Sequence, residues 1–281
     1  MQISEDLRPH LHGMWAAVVP AWAEHADYAD ARGAEVAERM LELTAPAPGE
    51  RVLELACGPG GLGLAAAARV APDGEVVLSD VAAGMTEIAA ARAAALGAQN
   101  VSTRVLDVES IDEPGDAYDV VLCREGLMFA TDPGRATREI RRVLRPGGRV
   151  AVAVWGPRER NPWLGVVFDA VAAQLGRPVP PPGVPGPFSL SDAGGLAALL
   201  EDTGLRDVAV GELDVPLRSA SFEECWERTS ALAGPLSRIL AGLPEPAVHE
   251  LRERVRRAVA GYATAAGLKF PGVSLIATAR R

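Results

Sequence analysis

Residues 51–64, with the sequence RVLELACGPGGLGL, constrain the fold of this chain more than any other stretch. A short apolar run at 52–55 leads directly into a turn whose glycines have the spacing G-x-G-x-x-G. Glycine permits positive φ angles and lets a ligand approach the backbone, and a helix after the turn directs its free N–H groups at that ligand. The stretch therefore predicts a buried strand, a ligand-binding turn and a helix over about 62–70. Glycine-rich turns also occur without a ligand, so the pattern needs support from other positions.

Acidic residues supply that support, because they lie within or at the end of predicted strands. Glu54 sits inside the apolar run, where a carboxylate is costly to bury without a partner. Asp80 ends the predicted strand 75–80, and Asp107 ends the predicted strand 101–107. In a doubly wound sheet the carboxyl ends of the strands form the ligand crevice, where an acid after the second strand binds a ribose diol. The acids therefore predict a ligand site at that edge.

Five ordered motifs along residues 40–155 carry a family resemblance: ELACGPGGLG, LSD, LDVES, YDVVLCREGLM and REIRRVLRPGGRVAVAVW. Together they closely resemble the class I S-adenosylmethionine-dependent methyltransferases, in particular the small-molecule branch that includes ubiquinone/menaquinone-biosynthesis and natural-product enzymes. The resemblance implies an α/β fold with a Rossmann-like, seven-stranded, mostly parallel sheet whose last strand is antiparallel. It also implies S-adenosylmethionine as the cofactor. The stretch REGLMFATDP lacks the [Asn/Asp]-Pro-Pro-aromatic signature of enzymes that methylate DNA-base amines, so that subclass is disfavoured.

The same resemblance assigns the cofactor contacts. Glu54 and the backbone of 56–60 would face the methionine end, Asp80 would bind the ribose hydroxyls, and Asp107 would meet the adenine amino group. The full set of predicted cofactor contacts is Glu54, Ala56, Cys57, Gly58, Gly60, Asp80, Val81, Met85, Asp107, Val108, Arg124 and Gly126.

The catalytic residues stay open at this point. A sulfonium is already a strong methyl donor, so a general base is needed only if the acceptor must lose a proton. Glu125 and His25 are the candidates for that role, although Arg124 and Glu125 could instead pair with each other, and a lone His is more often hydrogen-bonded than catalytic. We find no Ser/His/Asp arrangement and predict no metal site.

The parts outside the motifs predict a helical lid over the crevice. We expect an N-terminal helical arm at 1–45 broken by Pro20, a cofactor-binding core at 46–158, a lid helix with a Pro-rich loop at 159–200, and last strands at 201–281 with a helical insert at 218–270. The aromatic residues Trp163, Phe188, Trp226 and Phe270 are candidates to line an apolar pocket beneath it. The predicted substrate contacts are Trp22, Met128, Trp163 and Trp226.

Composition and charge limit the kinds of binding partner that we expect for this chain. A net charge of −9 disfavours a nucleic-acid partner, and the absence of a long apolar run disfavours a membrane partner. Three cysteines without metal spacing favour a reducing, cytoplasmic location, as does an N-terminus without a signal-peptide pattern. The expected partner is a small-molecule acceptor, with a homodimer as a possible assembly.

The sequence thus predicts methyl transfer from S-adenosylmethionine to a small, partly apolar acceptor by in-line displacement. Two alternatives stay open. A nicotinamide-dependent oxidoreductase would use the same glycine spacing with Asp80, although Glu54 and Asp107 would then have no role. A non-catalytic S-adenosylmethionine-binding protein would share every cofactor motif.

Overall fold

After three N-terminal helices, strands and helices alternate along the first half of the chain. The structure is a computed structural model, and it describes residues 4–281. The helices are α1 Ser4–Ala17, α2 Val19–Glu24, α3 Ala26–Thr44, α4 Gly61–Val70, α5 Ala83–Ala95, α6 Pro133–Val143, α7 Pro162–Leu175, α8 Ala193–Asp202, α9 Phe222–Leu232, α10 Gly234–Ala241 and α11 Glu245–Ala258. The strands are β1 Arg51–Leu55, β2 Glu75–Asp80, β3 Val101–Val105, β4 Tyr118–Arg124, β5 Leu144–Trp155, β6 Arg206–Asp214, β7 Leu217–Ser219, β8 Ala263–Thr264, β9 Gly267–Phe270 and β10 Val273–Arg280.

Seven strands form the central sheet in the order β3-β2-β1-β4-β5-β10-β6. Strands β1 to β5 pair in parallel, whereas β10 runs antiparallel to both of its neighbours, β5 and β6. The predicted fold is therefore confirmed, including the antiparallel last strand. Because the strand order reverses between β1 and β4, the ligand crevice of such a sheet lies above the carboxyl ends of these two strands.

The turn after β1 has the geometry that its glycines predict. Gly58 and Gly60 adopt positive φ angles of 52° and 87°. Helix α4 begins at Gly61, one residue before the predicted start. The strand predicted over 101–107 is slightly shorter than expected. In the structure β3 ends at Val105, two residues before Asp107.

The N-terminal arm consists of three helices rather than the two pieces predicted from Pro20. Pro20 lies in the first turn of α2, where its missing N–H costs no helical hydrogen bond. A second break falls at His25, which ends α2 and precedes α3. Among residues 4–281, no helix is both long and apolar enough to cross a bilayer.

The insert expected at 218–270 contains a small sheet as well as helices. Its helices are α9, α10 and α11, and the strands β7, β9 and β8 form an antiparallel three-stranded sheet in that order. These strands have two to four residues each. Runs this short contain too few alternations of buried and exposed side chains to be recognised in sequence. The sheet buries Phe270, whose ring lies 4.8 Å from that of Tyr262.

Candidate functional site

One large cavity lies at the carboxyl ends of β1, β2 and β4, and α1, α2, α3 and α9 cover it. Every residue assigned to the cofactor from the sequence lines this cavity except Gly60. A Cβ at Gly60 would lie 3.0 Å from side-chain atoms of Leu78 and Ala89, so this glycine faces the packing between β2 and α5. Gly60 therefore shapes the turn and the packing behind it rather than the cavity wall.

Glu54 is buried on β1 and accepts a hydrogen bond from the backbone N–H of Gly63 at 2.8 Å. Burial raises the pKa of this carboxyl to about 8, against the opposing effects of the Arg124 charge and the Gly63 hydrogen bond. A Cβ at Gly63 would lie 2.5 Å from Glu54 Oε2. The third glycine of the pattern is thus required for the carboxyl to reach the first turn of α4.

Asp80 is fixed in place by two backbone donors. Its Oδ2 accepts from the N–H of Gly58 and its Oδ1 from the N–H of Ala82, both at 3.0 Å. Burial raises the pKa of this carboxyl, while the two hydrogen bonds oppose that change. Each carboxylate oxygen has capacity for a second hydrogen bond, so Asp80 can still accept from a pair of hydroxyl groups.

Asp107 contacts the N-terminal helix, which the sequence did not predict. Its Oδ2 lies 2.6 Å from Arg8 Nε and 3.1 Å from His12 Nε2, both on α1. Its Oδ1 accepts from the N–H of Glu109 at 2.8 Å. Helix α1 therefore closes over the part of the cavity that the family resemblance assigns to adenine.

Aromatic side chains from distant segments line other parts of the cavity. Trp15 lies edge-on to Phe129 with ring centroids 4.8 Å apart, and the Trp22 indole N–H donates to the carbonyl oxygen of Leu232 at 3.1 Å. Of the predicted substrate contacts, those that line the cavity are Trp22, Met128 and Trp163.

Trp226 does not line the cavity, and neither do Phe188 and Phe270. The ring of Trp226 stacks on that of Phe222, one turn earlier in α9, with centroids 6.4 Å apart. An aromatic residue at helical spacing has no sequence mark that distinguishes this packing from a place in a pocket wall.

Arg32 on α3 is a cavity residue that the sequence did not identify. Its guanidinium carbon lies 4.8 Å from the ring centroid of Trp155 and 4.6 Å from that of Trp163. These two indoles meet edge-on with centroids 5.1 Å apart. The nearest carboxylate oxygen, on Glu125, lies 3.7 Å from Arg32 Nη2.

Arg124, at the end of β4, lies against the same helix. A Cβ at Gly33 would overlap the Arg124 guanidinium, so Gly33 is the residue that lets this side chain lie beside α3. The sequence marks Gly33 only as a weak point in a helix.

The two candidate proton acceptors have different positions. Glu125 lines the cavity and adopts a positive φ of 58°, a conformation that is uncommon outside glycine. His25 lies at the junction of α2 and α3 and is not among the residues that line the cavity.

Cys57 is the cysteine that lines the cavity among the described residues. Burial raises the pKa of the Cys57 thiol, and it raises that of Cys123 to about 12. Both side chains therefore stay neutral thiols near pH 7. Within residues 4–281, no group of three or more His, Cys, Asp or Glu side chains has the arrangement of a metal site.

The site has the features that S-adenosylmethionine requires. Asp80 offers oriented acceptors for a diol, and the turn at Gly58 exposes backbone beside it. Glu54 adds a carboxyl group and Arg124 adds a guanidinium to the cavity wall. The Arg124 guanidinium matches the carboxylate of an amino-acid group, and the carboxyl group of Glu54 can accept hydrogen bonds from its ammonium.

Comparisons with known proteins agree with this geometry. A family profile described as a methyltransferase domain matches residues 52–148. Nocamycin O-methyltransferase from Saccharothrix syringae is 32% identical over 207 residues, which cover 69% of this chain and 74% of that enzyme. Ubiquinone/menaquinone biosynthesis C-methyltransferase UbiE from Ectopseudomonas mendocina is 38% identical over 130 residues, and the match spans 46% of this chain and 50% of that enzyme.

Solved structures share the fold. The YcgJ protein from Bacillus subtilis superimposes with a TM-score of 0.60 at 19% identity, covering 87% of this chain and 97% of its own. At that identity the likeness concerns the fold alone. The extent of the match to nocamycin O-methyltransferase is what shows the family: this chain belongs to the S-adenosylmethionine-dependent methyltransferases.

Proposed function

We propose that this chain transfers the methyl group of S-adenosylmethionine to a small, partly apolar acceptor by in-line displacement. The observation that carries the proposal is the continuity of one cavity. In one part it exposes Asp80, Glu54 and the glycine turn, with Trp22 against Gly58. In another part it exposes Trp155 and Trp163 beside Arg32. A cofactor and an apolar acceptor can thus occupy neighbouring parts of the same enclosed space.

The relatives support a small-molecule acceptor. They include an O-methyltransferase named for nocamycin and a C-methyltransferase of ubiquinone and menaquinone biosynthesis. The methylated atom is oxygen in one of these names and carbon in the other. The names therefore support a small molecule as the acceptor, but they do not indicate which atom of it is methylated.

In this mechanism S-adenosylmethionine supplies an electrophilic methyl group. The chain supplies position and a dry environment, which are the main protein contributions when the methyl donor is already reactive. We assign Asp80 to the ribose hydroxyls and the pair of Glu54 and Arg124 to the amino-acid end. Trp15 and Trp22, on α1 and α2, exclude water from above.

A proton acceptor is needed only for an acceptor that enters as a neutral acid. Glu125 is the better placed of the two candidates, because it lines the cavity. His25, at a helix junction outside the cavity wall, has no comparable access.

Calorimetric titrations with S-adenosylmethionine, S-adenosylhomocysteine and NADH in parallel test the proposal. We expect binding of the two adenosyl sulfur compounds and none of NADH. Binding of NADH alone would overturn the assignment and restore the oxidoreductase alternative.

Transfer of label from methyl-tritiated S-adenosylmethionine into small molecules of an extract then separates an enzyme from a non-catalytic binder. Size-exclusion chromatography with light scattering tests the homodimer, which stays a prediction.

A further inference from the structure

Two arginine side chains in the cavity, Arg32 and Arg124, have neither a hydrogen bond nor a carboxylate oxygen closer than 3.7 Å among the described side chains, residues 7–281. Other cationic side chains of the cavity have close acidic partners. Arg8 pairs with Asp107 at 2.5 Å, and Arg228 pairs with Glu224 at 2.6 Å. A guanidinium has five N–H donors, so Arg32 and Arg124 both present unused donors to the cavity.

The sheet order separates the two. Arg124 is the last residue of β4, and its charge acts on the neighbouring Glu54 of β1. Arg32 instead packs over Trp155, the last residue of β5, and Trp163, in the first turn of α7. Along β2, β1, β4 and β5, Asp80 and Glu54 come first, and Arg32 lies at the far end with the aromatic side chains.

Arg32 is also held in a fixed orientation. Two indole rings lie within 5 Å of its guanidinium carbon, an arrangement that favours a cation over each ring. Its side chain is 24% exposed, so it is not sealed in the core. Glu125, at 3.7 Å, is too far for a hydrogen bond and leaves the donors of the planar fork available. A planar fork of this kind suits the two oxygens of a carboxylate or another conjugated oxyanion.

We infer that Arg32 binds an anionic oxygen of the methyl acceptor, and that the acceptor is therefore a flat, apolar acid. The apolar body of such a molecule would lie against Trp155 and Trp163, and its carboxylate or ionised enol or phenol would meet the guanidinium. This inference rests on the proposed function, since it concerns the acceptor of that same site. Arg32 is assigned as a residue that determines which acceptor binds.

A pair of matched probes tests the inference without knowledge of the natural acceptor. The protein is saturated with S-adenosylhomocysteine and titrated in a calorimeter with 1-naphthoate and with its neutral analogue 1-naphthamide. We expect naphthoate to bind at least about tenfold more tightly than the amide, because a charge-assisted hydrogen bond is stronger than a neutral one. Arg32→Met should abolish this preference, and Arg32→Lys should retain part of it.

Arg39→Met is the matched control. Arg39 lies two turns further along α3, is half exposed, pairs with Glu42 and does not line the cavity. This variant should keep the full preference for naphthoate. Glu125→Gln should increase it, because that change removes the carboxylate nearest to Arg32.

Each result has a separate meaning. If the unmodified protein does not bind S-adenosylhomocysteine, the proposed function fails. If it binds S-adenosylhomocysteine but binds naphthoate and naphthamide equally, only the inference about the acceptor is overturned. If Arg32→Met weakens S-adenosylhomocysteine by more than about tenfold, Arg32 serves the cofactor instead, and the inference is again overturned. The comparison of the two probes on the unmodified protein needs no variant to fold.

Discussion

The two ends of the cavity are built in different ways. At the end that we assign to the cofactor, Asp80 accepts hydrogen bonds from the backbone N–H groups of Gly58 and Ala82, and Glu54 accepts one from that of Gly63. At the end that we assign to the acceptor, Arg32, Trp155 and Trp163 touch through faces and edges of side chains, and Arg32 has no hydrogen bond to the described part of the chain.

This difference indicates that the end with Glu54 and Asp80 is the more rigid of the two. Backbone donors at the ends of buried strands are fixed by the sheet, so they hold a ligand of constant shape in a constant position. Contacts between side chains of separate helices depend on how those helices dock, and they can change between relatives without altering the sheet. A shared cofactor with varied acceptors suits this division.

Among the substitutions that test this difference, we expect the largest loss of ligand affinity from Gly58→Val. Gly58 has a φ of 52°, which a β-branched residue adopts only with strain, and its N–H donates to Asp80. Affinity for S-adenosylhomocysteine should fall more than about 100-fold in calorimetry. Gly97→Val is the control, because Gly97 also has a positive φ, of 68°, but a Cβ at this position would have no atom within 4 Å. Unchanged affinity in Gly58→Val would show that the cofactor end does not depend on this turn.

The next effect concerns stability against pH at Glu54. Its pKa is about 8 in the folded protein and 4.5 as an ordinary value, so folding favours the protonated form. The stabilisation is complete below about pH 4.5 and is lost as pH rises through about 8, and the part lost between about pH 6 and about pH 9 is on the order of 3 kcal/mol. Urea denaturation of the unmodified protein and of Glu54→Gln at about pH 6 and about pH 9 measures it.

Glu54→Gln carries no titrating group at this position and serves as the reference for every other carboxyl in the chain. The difference in unfolding free energy between the two proteins should change with pH in favour of Glu54→Gln as pH rises. Parallel curves for the two proteins would mean that Glu54 is not the source of the pH dependence.

Asp80→Ala should weaken S-adenosylhomocysteine by about 10- to 100-fold, because it removes charge-assisted hydrogen bonds to the assigned ribose. Glu75→Ala, at the other end of β2, removes an exposed acid paired with Arg51 and should leave affinity unchanged. Calorimetry on both variants measures the difference. Equal affinity of Asp80→Ala and the unmodified protein would refute our assignment of the ribose.

The smallest effect is expected at the contact between α1 and Asp107. Arg8→Ala should lower the unfolding free energy by less than about 1 kcal/mol, because the ion pair is partly exposed. Hydrogen–deuterium exchange in α1 should rise nonetheless, since this pair joins the helix to the cavity edge. Arg69→Ala removes a similar pair with Glu38 away from the cavity and should leave α1 exchange unchanged. Unchanged exchange in Arg8→Ala would mean that other contacts hold α1 in place.

Much of the cofactor end could be predicted from the sequence because its chemistry is local. The glycine spacing, the acid inside β1 and the acid that ends β2 all lie within the first ninety residues, and each reflects a backbone requirement. Helix α6 depends on a similarly local contact, because Asp132 caps it by accepting from the N–H of Arg135 at 2.8 Å. Gly60 shows the limit of such prediction, since a pattern identifies a glycine without saying which way its missing side chain would point.

The amino-acid sequence is sufficient to predict the parallel sheet, the glycine turn, the acids at the edge of the sheet and the family. Three features follow only from tertiary packing: α1 reaches Asp107, Arg32 lies over Trp155 and Trp163, and Trp226 packs away from the cavity. The contact of Arg8 with Asp107 spans 99 positions, and that of Trp22 with Leu232 spans 210. Local patterns follow from the geometry of a single strand, turn or helix, whereas contacts over such separations depend on which faces of different helices pack together.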